Sequence, residues 1–129
     1  MKKTITVAVI ALAGLSIALA CYAGAKAVTD ANYSDEVRRT YDPVVLEFWA
    51  PYCPACREMA PVVDELADEY KGKIKVLTVN TEQNRKAPEE YKVTKIPTFF
   101  YIKDGYIVSS ATGSMSKEQL KKKLGLPEN

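Results

Sequence analysis

The chain has 129 residues, of which 47% are hydrophobic and 26% charged, a composition that suits one small globular domain with a single core. Lys2 and Lys3 account for the whole net charge of +2, so the rest of the chain is neutral and nucleic-acid binding has no support. With three cysteines and no histidine, a closed four-ligand zinc site made of Cys and His alone cannot form within one chain.

The first residues predict an exported protein. Met1-Lys2-Lys3 is a short basic start, and residues 4–25 carry no charge, which is typical of a secretory signal. We therefore expect a bacterial protein located outside the cytoplasm, in the periplasm or anchored in the membrane facing it. We divide the chain into residues 1–20 as a signal peptide or N-terminal membrane anchor, 21–27 as a short linker and 28–126 as the folded domain.

The fate of Cys21 stays open between three alternatives. Ala18-Leu19-Ala20 offers a small-residue cleavage site directly before Cys21. The same stretch resembles a bacterial lipoprotein signal, in which Cys21 would be lipidated, although Ala18 stands where a larger aliphatic residue is usual. An uncleaved anchor is the third alternative, because the uncharged stretch is long enough to span a bilayer. We favour cleavage at or near Cys21.

The first two elements of the domain are a helix and a buried strand. Residues 32–39 predict a short helix that Ser34 could cap. The nearly continuous apolar run over residues 44–50 contains one acid, Glu47, and predicts a central strand buried on both faces.

The rest of the domain alternates between helix and strand patterns. We predict helices over residues 56–70, 87–91 and 116–124 and strands over 74–79, 98–103 and 106–111. Pro61 should kink the long helix, Asp104-Gly105 predicts a hairpin turn, and Ser116 and Gln119 have capping-box spacing. The order βαβαββα predicts an α/β fold with a central mixed sheet flanked by helices on both faces.

Cys53-Pro54-Ala55-Cys56 lies between the buried strand and the long helix, and its two cysteines share a helix face. Free N–H groups and the helix dipole would stabilise a Cys53 thiolate, and Pro54 suits the first turn. The spacing predicts an exposed, reactive Cys53 and a more buried Cys56 that resolves the mixed disulfide. The alternatives are half of a zinc site bridging two chains, and an inert structural disulfide.

Several motifs in order resemble the thioredoxin family, and the resemblance covers essentially the whole domain. They are Phe48-Trp49-Ala50-Pro51-Tyr52-Cys53-Pro54-Ala55-Cys56, Ala60-Pro61-Val62-Val63-Asp64-Glu65-Leu66-Ala67, Lys95-Ile96-Pro97-Thr98-Phe99, Lys103-Asp104-Gly105 and Gly113. The resemblance implies a thioredoxin fold, with Cys53 as the nucleophile and Cys56 as the resolving thiol of a redox disulfide.

The same resemblance implies supporting roles around the cysteines. Pro97 would be cis and packed beside the disulfide, leaving the backbone of Ile96 free to pair with a substrate strand. Trp49 would shield the site in addition to packing in the core. Tyr52, Pro54 and Ala55 complete the signature.

Glu47 stands where thioredoxins usually carry Asp. Buried under Cys56, it would have a raised pKa and could accept and return the proton of that thiol. The alternative is an edge position from which the acid reaches solvent. A Lys often found near this acid in thioredoxins corresponds to Thr78 here, so Glu47 should be easier to protonate.

These features predict an exported thiol–disulfide oxidoreductase that mainly reduces disulfides of envelope proteins. Ala55 argues against a strong oxidant, because many strong oxidants carry His there. The alternatives are a periplasmic oxidant or disulfide isomerase, and a redox-silent adaptor. We expect a monomer without cofactor or metal, protein thiol and disulfide substrates, a membrane electron donor and a membrane tether at the N-terminus.

Overall fold

A computed structural model of the chain describes residues 24–129; the predicted signal or anchor and Cys21 lie outside the described residues. Five strands form one sheet in the order β1-β3-β2-β4-β5. The strands are β1 (Lys26–Ala27), β2 (Val44–Trp49), β3 (Lys75–Asn80), β4 (Thr98–Lys103) and β5 (Tyr106–Thr112). The helices are α1 (Pro54–Glu69), α2 (Lys86–Glu90) and α3 (Lys117–Leu124), and a π-helical turn spans Ser34–Arg38.

The sheet is mixed and covered on both faces, which confirms the predicted fold class. Strands β1, β2 and β3 run parallel, whereas β4 pairs antiparallel with both β2 and β5. The side chains of successive residues in a strand point to opposite faces of the sheet, so β2 contributes side chains to two cores. Val45 packs with α1 and α3 on one face, and Val44, Leu46 and Phe48 pack with α2 and the π-helical turn on the other.

Two features at the start of the domain differ from the sequence-based expectation. Lys26–Ala27 forms a strand beside β3, although we had placed these residues in a linker. Ser34 is not a helix cap: the cap position is Tyr33, whose side chain makes no capping bond. The reason is that the chain already turns at Thr29, whose carbonyl accepts the N–H of Tyr33, so Tyr33 itself has helical backbone angles.

The remaining elements lie within a residue or two of their predicted bounds. Helix α1 is continuous through Pro61. Asp104 and Gly105 both have positive φ, as a tight hairpin turn requires. The Ser116 and Gln119 side chains form the predicted capping box of α3. Within residues 24–129 there is no helix long and apolar enough to cross a membrane.

The topology fixes the place of the two cysteines. Strand β2 is the middle strand, and it ends at Trp49, four residues before Cys53. Helix α1 starts directly after Cys53 and returns over the face of the sheet that carries Val45 and Glu47. The cysteines therefore lie at the carboxyl edge of the central strand, the usual place for sites in open α/β sheets.

Candidate active site

Cys53 and Cys56 form a disulfide at the N-terminus of α1, with their Cα atoms 5.2 Å apart. Cys53 is the N-cap residue, in an extended conformation, and Pro54 occupies the first turn. The backbone N–H of Cys56 points at Cys53 Sγ, 3.2 Å away. When the pair is reduced, this N–H and the helix dipole favour a thiolate on Cys53, because both place positive charge beside the sulfur.

Cys53 is less accessible than the sequence led us to expect. Its exposed fraction is 8% and that of Cys56 is 2%, so the predicted exposure of Cys53 was wrong for this disulfide form, although the predicted order holds. The cover comes from a loop distant in sequence: Cys53 Sγ lies 3.8 Å from the carbonyl oxygen of Ile96. The backbone of this loop therefore lies directly beside the sulfur that we expect to react.

The Ile96–Pro97 peptide bond is cis, as the family resemblance implied. The loop around it is held by hydrogen bonds to neighbouring backbone. The Thr98 hydroxyl donates to the Lys95 carbonyl at 2.6 Å, and the N–H of Gly113 donates to the Pro97 carbonyl at 2.9 Å. These bonds fix the Ile96 carbonyl beside Cys53, while pairing of Ile96 with a substrate strand stays a prediction.

Glu47 is buried on the central strand, so the alternative of an edge position is wrong. Only 4% of the residue is exposed, and its register partners are Thr78 on β3 and Phe99 on β4. Burial raises the pKa of Glu47 to about 8, and the negative charge of Asp64 adds to the rise. The neutral register partner Thr78 supplies no positive charge to oppose it. A carboxyl group that titrates near neutral pH is suited to exchanging protons.

Glu47 and Cys56 line the same small cavity, of about 140 Å³, between the sheet and α1. We call it the Glu47 cavity. Its lining residues are Ala25, Glu47, Trp49, Cys56, Ala60, Val63, Asp64 and Thr78. The acid and the second cysteine therefore share one space, as the predicted placement requires, while the exchange of a proton between them stays a prediction.

The other residues of the signature surround the disulfide at different depths. Trp49 is half-buried and lines the Glu47 cavity, while its shielding of the cysteine pair stays a prediction. Tyr52 is 67% exposed directly before Cys53, and Pro54 is also exposed. Ala55 is half-buried and contributes only a methyl group, so it offers no hydrogen bond to the sulfurs.

Asp64 belongs to the site, although sequence reasoning gave it no role. Its carboxylate lines the Glu47 cavity and accepts the backbone N–H of Ala25 at 3.1 Å. Nothing local in the sequence signals this contact, because it joins residues 39 positions apart. In residues 24–129 no group of three or more metal-ligating side chains comes together.

A larger cavity, of about 350 Å³, lies away from the cysteines, beside Glu36, Lys71 and Lys75. None of the predicted site residues lines it. We place the active site at the smaller cavity because the reactive sulfurs and the acid with the raised pKa are found there.

A redox-active cysteine pair capping a helix, with a buried acid behind it, defines a protein-disulfide oxidoreductase. Residues 24–125 match the family model Thioredoxin, and the chain belongs to the thioredoxin family. It is 44% identical over 96 residues to thioredoxin 1 of Synechococcus elongatus, a match covering 74% of this chain and 90% of that protein. It is 40% identical over 93 residues to a thioredoxin of Haemophilus influenzae, covering 72% and 87%.

Proposed function

We propose that this protein is an exported reductant that uses the Cys53–Cys56 pair to reduce disulfides of envelope proteins. Membership of the family makes it a disulfide oxidoreductase acting on protein thiols and disulfides. The observation that carries the mechanism is the arrangement of Cys53 at the start of α1, Cys56 behind it and Glu47 in the adjoining cavity.

The reaction begins at Cys53. Its thiolate attacks one sulfur of a substrate disulfide, which forms a mixed disulfide and releases one substrate thiolate that takes a proton from water. The Cys56 thiol gives its proton to the Glu47 carboxylate, and the resulting thiolate attacks Cys53 Sγ. The second substrate thiolate leaves and is protonated. The substrate disulfide has gained two electrons and the protein dithiol has lost two.

The reducing direction follows from what surrounds the Cys53 sulfur. A strong oxidant stabilises its reduced form, and with it the nucleophilic thiolate, by additional charge or hydrogen bonds. Here the Cys56 N–H supplies one such contact, and Ala55 adds none. We therefore expect the Cys53–Cys56 disulfide to be stable relative to the dithiol, so that the reduced pair donates electrons to its substrates.

The proposed location rests on the N-terminal sequence. The family match begins at residue 24, so the basic start and the uncharged residues 4–23 precede the domain. We propose that this segment directs export, with cleavage at or near Cys21 or retention as a tether, and that a membrane protein supplies the electrons. Mass spectrometry of the mature N-terminus distinguishes simple cleavage, lipidated Cys21 and an uncleaved anchor.

Trapping substrates with Cys56→Ser tests the function. Without the resolving thiol, mixed disulfides on Cys53 should accumulate and be seen as adducts on non-reducing gels, and their partners should be envelope proteins. Cys53→Ser, which keeps a cysteine but lacks the nucleophile, is the matched control and should trap few or none. Partners confined to the cytoplasm would contradict export. A complete lack of adducts would favour the redox-silent adaptor.

A further inference from the structure

The Glu47 cavity has one acidic residue at its surface end, Asp64 on α1. Glu47 lies at the closed end, 4% exposed, whereas Asp64 is exposed to solvent and still lines the cavity. The two carboxyl groups therefore mark the inner and outer ends of the same space. Because the cavity is polar at both ends and measures about 140 Å³, it has room for more than one water molecule.

The Asp64 carboxylate is held in place by the chain segment that precedes β1. Its Oδ1 accepts the N–H of Ala25 at 3.1 Å, and Ala25 also lines the cavity. A Cβ atom at Gly24 would lie only 2.6 Å from the same oxygen, so the chain at Gly24 also passes close to the Asp64 carboxylate. The segment before β1 thus holds Asp64 at the opening of the cavity. The hydrogen bond from Ala25 uses only Oδ1.

We propose that Asp64 is the surface station of a proton path that connects Glu47 with solvent. Glu47 takes the proton of Cys56 during attack, passes it through water in the cavity to the Asp64 carboxylate, and Asp64 releases it to bulk solvent. When the disulfide is reduced again, a proton moves inward by the same route. Along this path only O–H and S–H bonds form and break. The electrons move separately, in the thiol–disulfide exchange described above.

The residues around Glu47 identify the charged group that acts on it. Helix α1 contributes Cys56 and Asp64 to the cavity lining, and β3 contributes the neutral Thr78. On β4 the register partner of Glu47 is the apolar Phe99. Lys26 on β1 is not among the residues that line the cavity, and its Nζ is bound to Glu36 at 2.6 Å. The lining residue in this part of the chain is Ala25, directly before β1. Asp64 is thus the charged group at the cavity that acts on Glu47: burial is the main cause of the raised pKa of Glu47, and the negative charge of Asp64 adds to it, so the two carboxyl groups interact across the cavity.

Three substitutions at the two carboxyl groups, with one control, separate a proton path from a structural role. Asp64→Asn keeps an oxygen for the Ala25 N–H but cannot carry a proton, and Asp64→Glu keeps a carboxylate. Asp68→Asn is the control, an exposed acid one turn further along α1. Glu47→Gln tests the proton role of Glu47, on which the inference rests. The measurement is single-turnover reduction of a disulfide-bonded model peptide by the reduced, purified chain across pH, with and without imidazole.

Asp64→Asn should slow the reaction about tenfold, less than loss of a direct acid–base group, because water can still reach the cavity slowly. Added imidazole should restore the rate, and Asp64→Glu should be close to the unchanged protein. Asp64→Asn behaving like Asp68→Asn would overturn the path, as would a slow Asp64→Asn that imidazole does not rescue. If Glu47→Gln reacts normally, the proton role of Glu47 fails too; if Glu47→Gln is slow and Asp64→Asn is normal, only the path fails.

Discussion

Glu47 combines a position in the centre of the sheet with the chemistry of a weak acid. The side chain at this position of β2 points into the protein. A carboxyl group buried there is disfavoured in its charged form unless that charge is paired. No positive charge is supplied by its neighbour Thr78, so the cavity favours the protonated form, and the pKa rises to about 8. The same feature that suits Glu47 to proton exchange therefore lowers the stability of the fold at alkaline pH.

We predict that Glu47→Gln is more stable than the unchanged protein at alkaline pH. The pKa of Glu47 is about 8 in the fold against 4.5 for an unperturbed Glu, so the unfolded chain loses this proton first as pH rises. The contribution of Glu47 to stability is fully present below pH 4.5 and falls until about pH 8, by at most about 5 kcal/mol at about 1.4 kcal/mol per pKa unit.

Urea unfolding of the disulfide form at several pH values measures this effect. The free energy of unfolding of Glu47→Gln should lack the decline that Glu47 causes between pH 4.5 and about 8, while the two proteins should differ least in acid. Glu82→Gln, a change at an exposed acid, is the control and should keep the decline. Parallel curves for Glu47→Gln and the unchanged protein would show that Glu47 does not titrate as an isolated buried acid.

At the scale of elements, helix α2 illustrates stabilisation from a distant residue. It has five residues, and its own cap residue, Arg85, makes no side-chain capping bond. Instead, the Asp30 carboxylate accepts the N–H groups of Arg85, Lys86 and Ala87 at 2.8, 3.0 and 2.9 Å. Desolvation opposes the charge of Asp30, but these three bonds and Lys86 together hold its pKa below its ordinary value.

We predict that Asp30→Ala lowers the free energy of unfolding by about 2 kcal/mol at neutral pH, because three N–H groups lose their acceptor. Asp35→Ala, which removes an exposed ion pair with Arg39, should change it by less than about 0.5 kcal/mol. Since its folded pKa is depressed, the contribution of Asp30 is present above pH 3.8 and is lost as pH falls through the folded pKa. Equal losses from both variants in chemical denaturation would contradict this account of α2.

The elements that the sequence predicted well are those determined by local patterns. The apolar run of β2, the hairpin turn at Asp104-Gly105 and the capping box of α3 all depend on neighbours within a few residues. Strand β1 has only two residues and forms by pairing with the edge of β3, so the sequence shows no strand pattern there. Contacts between distant segments, such as Asp30 with α2, are invisible for the same reason.

The active site divides in the same way. The cysteine pair, Glu47 and Pro97 could be predicted, because the spacing and the family motifs mark them. Asp64 could not, since its position at the Glu47 cavity and its contact with Ala25 arise only when distant segments pack together. The burial of Cys53 was also missed, because its cover is the loop at Ile96, which lies 43 residues further along the chain.

For the whole molecule, the sheet joins the redox pair and the acid in one rigid unit. Cys56 lies in the first turn of α1, and Glu47 is a residue of the central strand, with hydrogen-bonded neighbours on both sides. Neither group can move far without disturbing the two cores that pack on β2. A fixed arrangement of this kind suits the proposed cycle between dithiol and disulfide, because the proposed proton acceptor is held near the pair by the fold itself.

The central claim is that the pair acts mainly as a reductant, and its reduction potential tests this most directly. Equilibration of the purified protein with a dithiothreitol or glutathione series gives the fraction of Cys53–Cys56 disulfide at each ratio. We predict a potential much closer to about −270 mV, the value for thioredoxin, than to about −120 mV, the value for a strong periplasmic oxidant. A potential near the latter, with oxidation of reduced proteins faster than reduction of disulfides, would contradict the account.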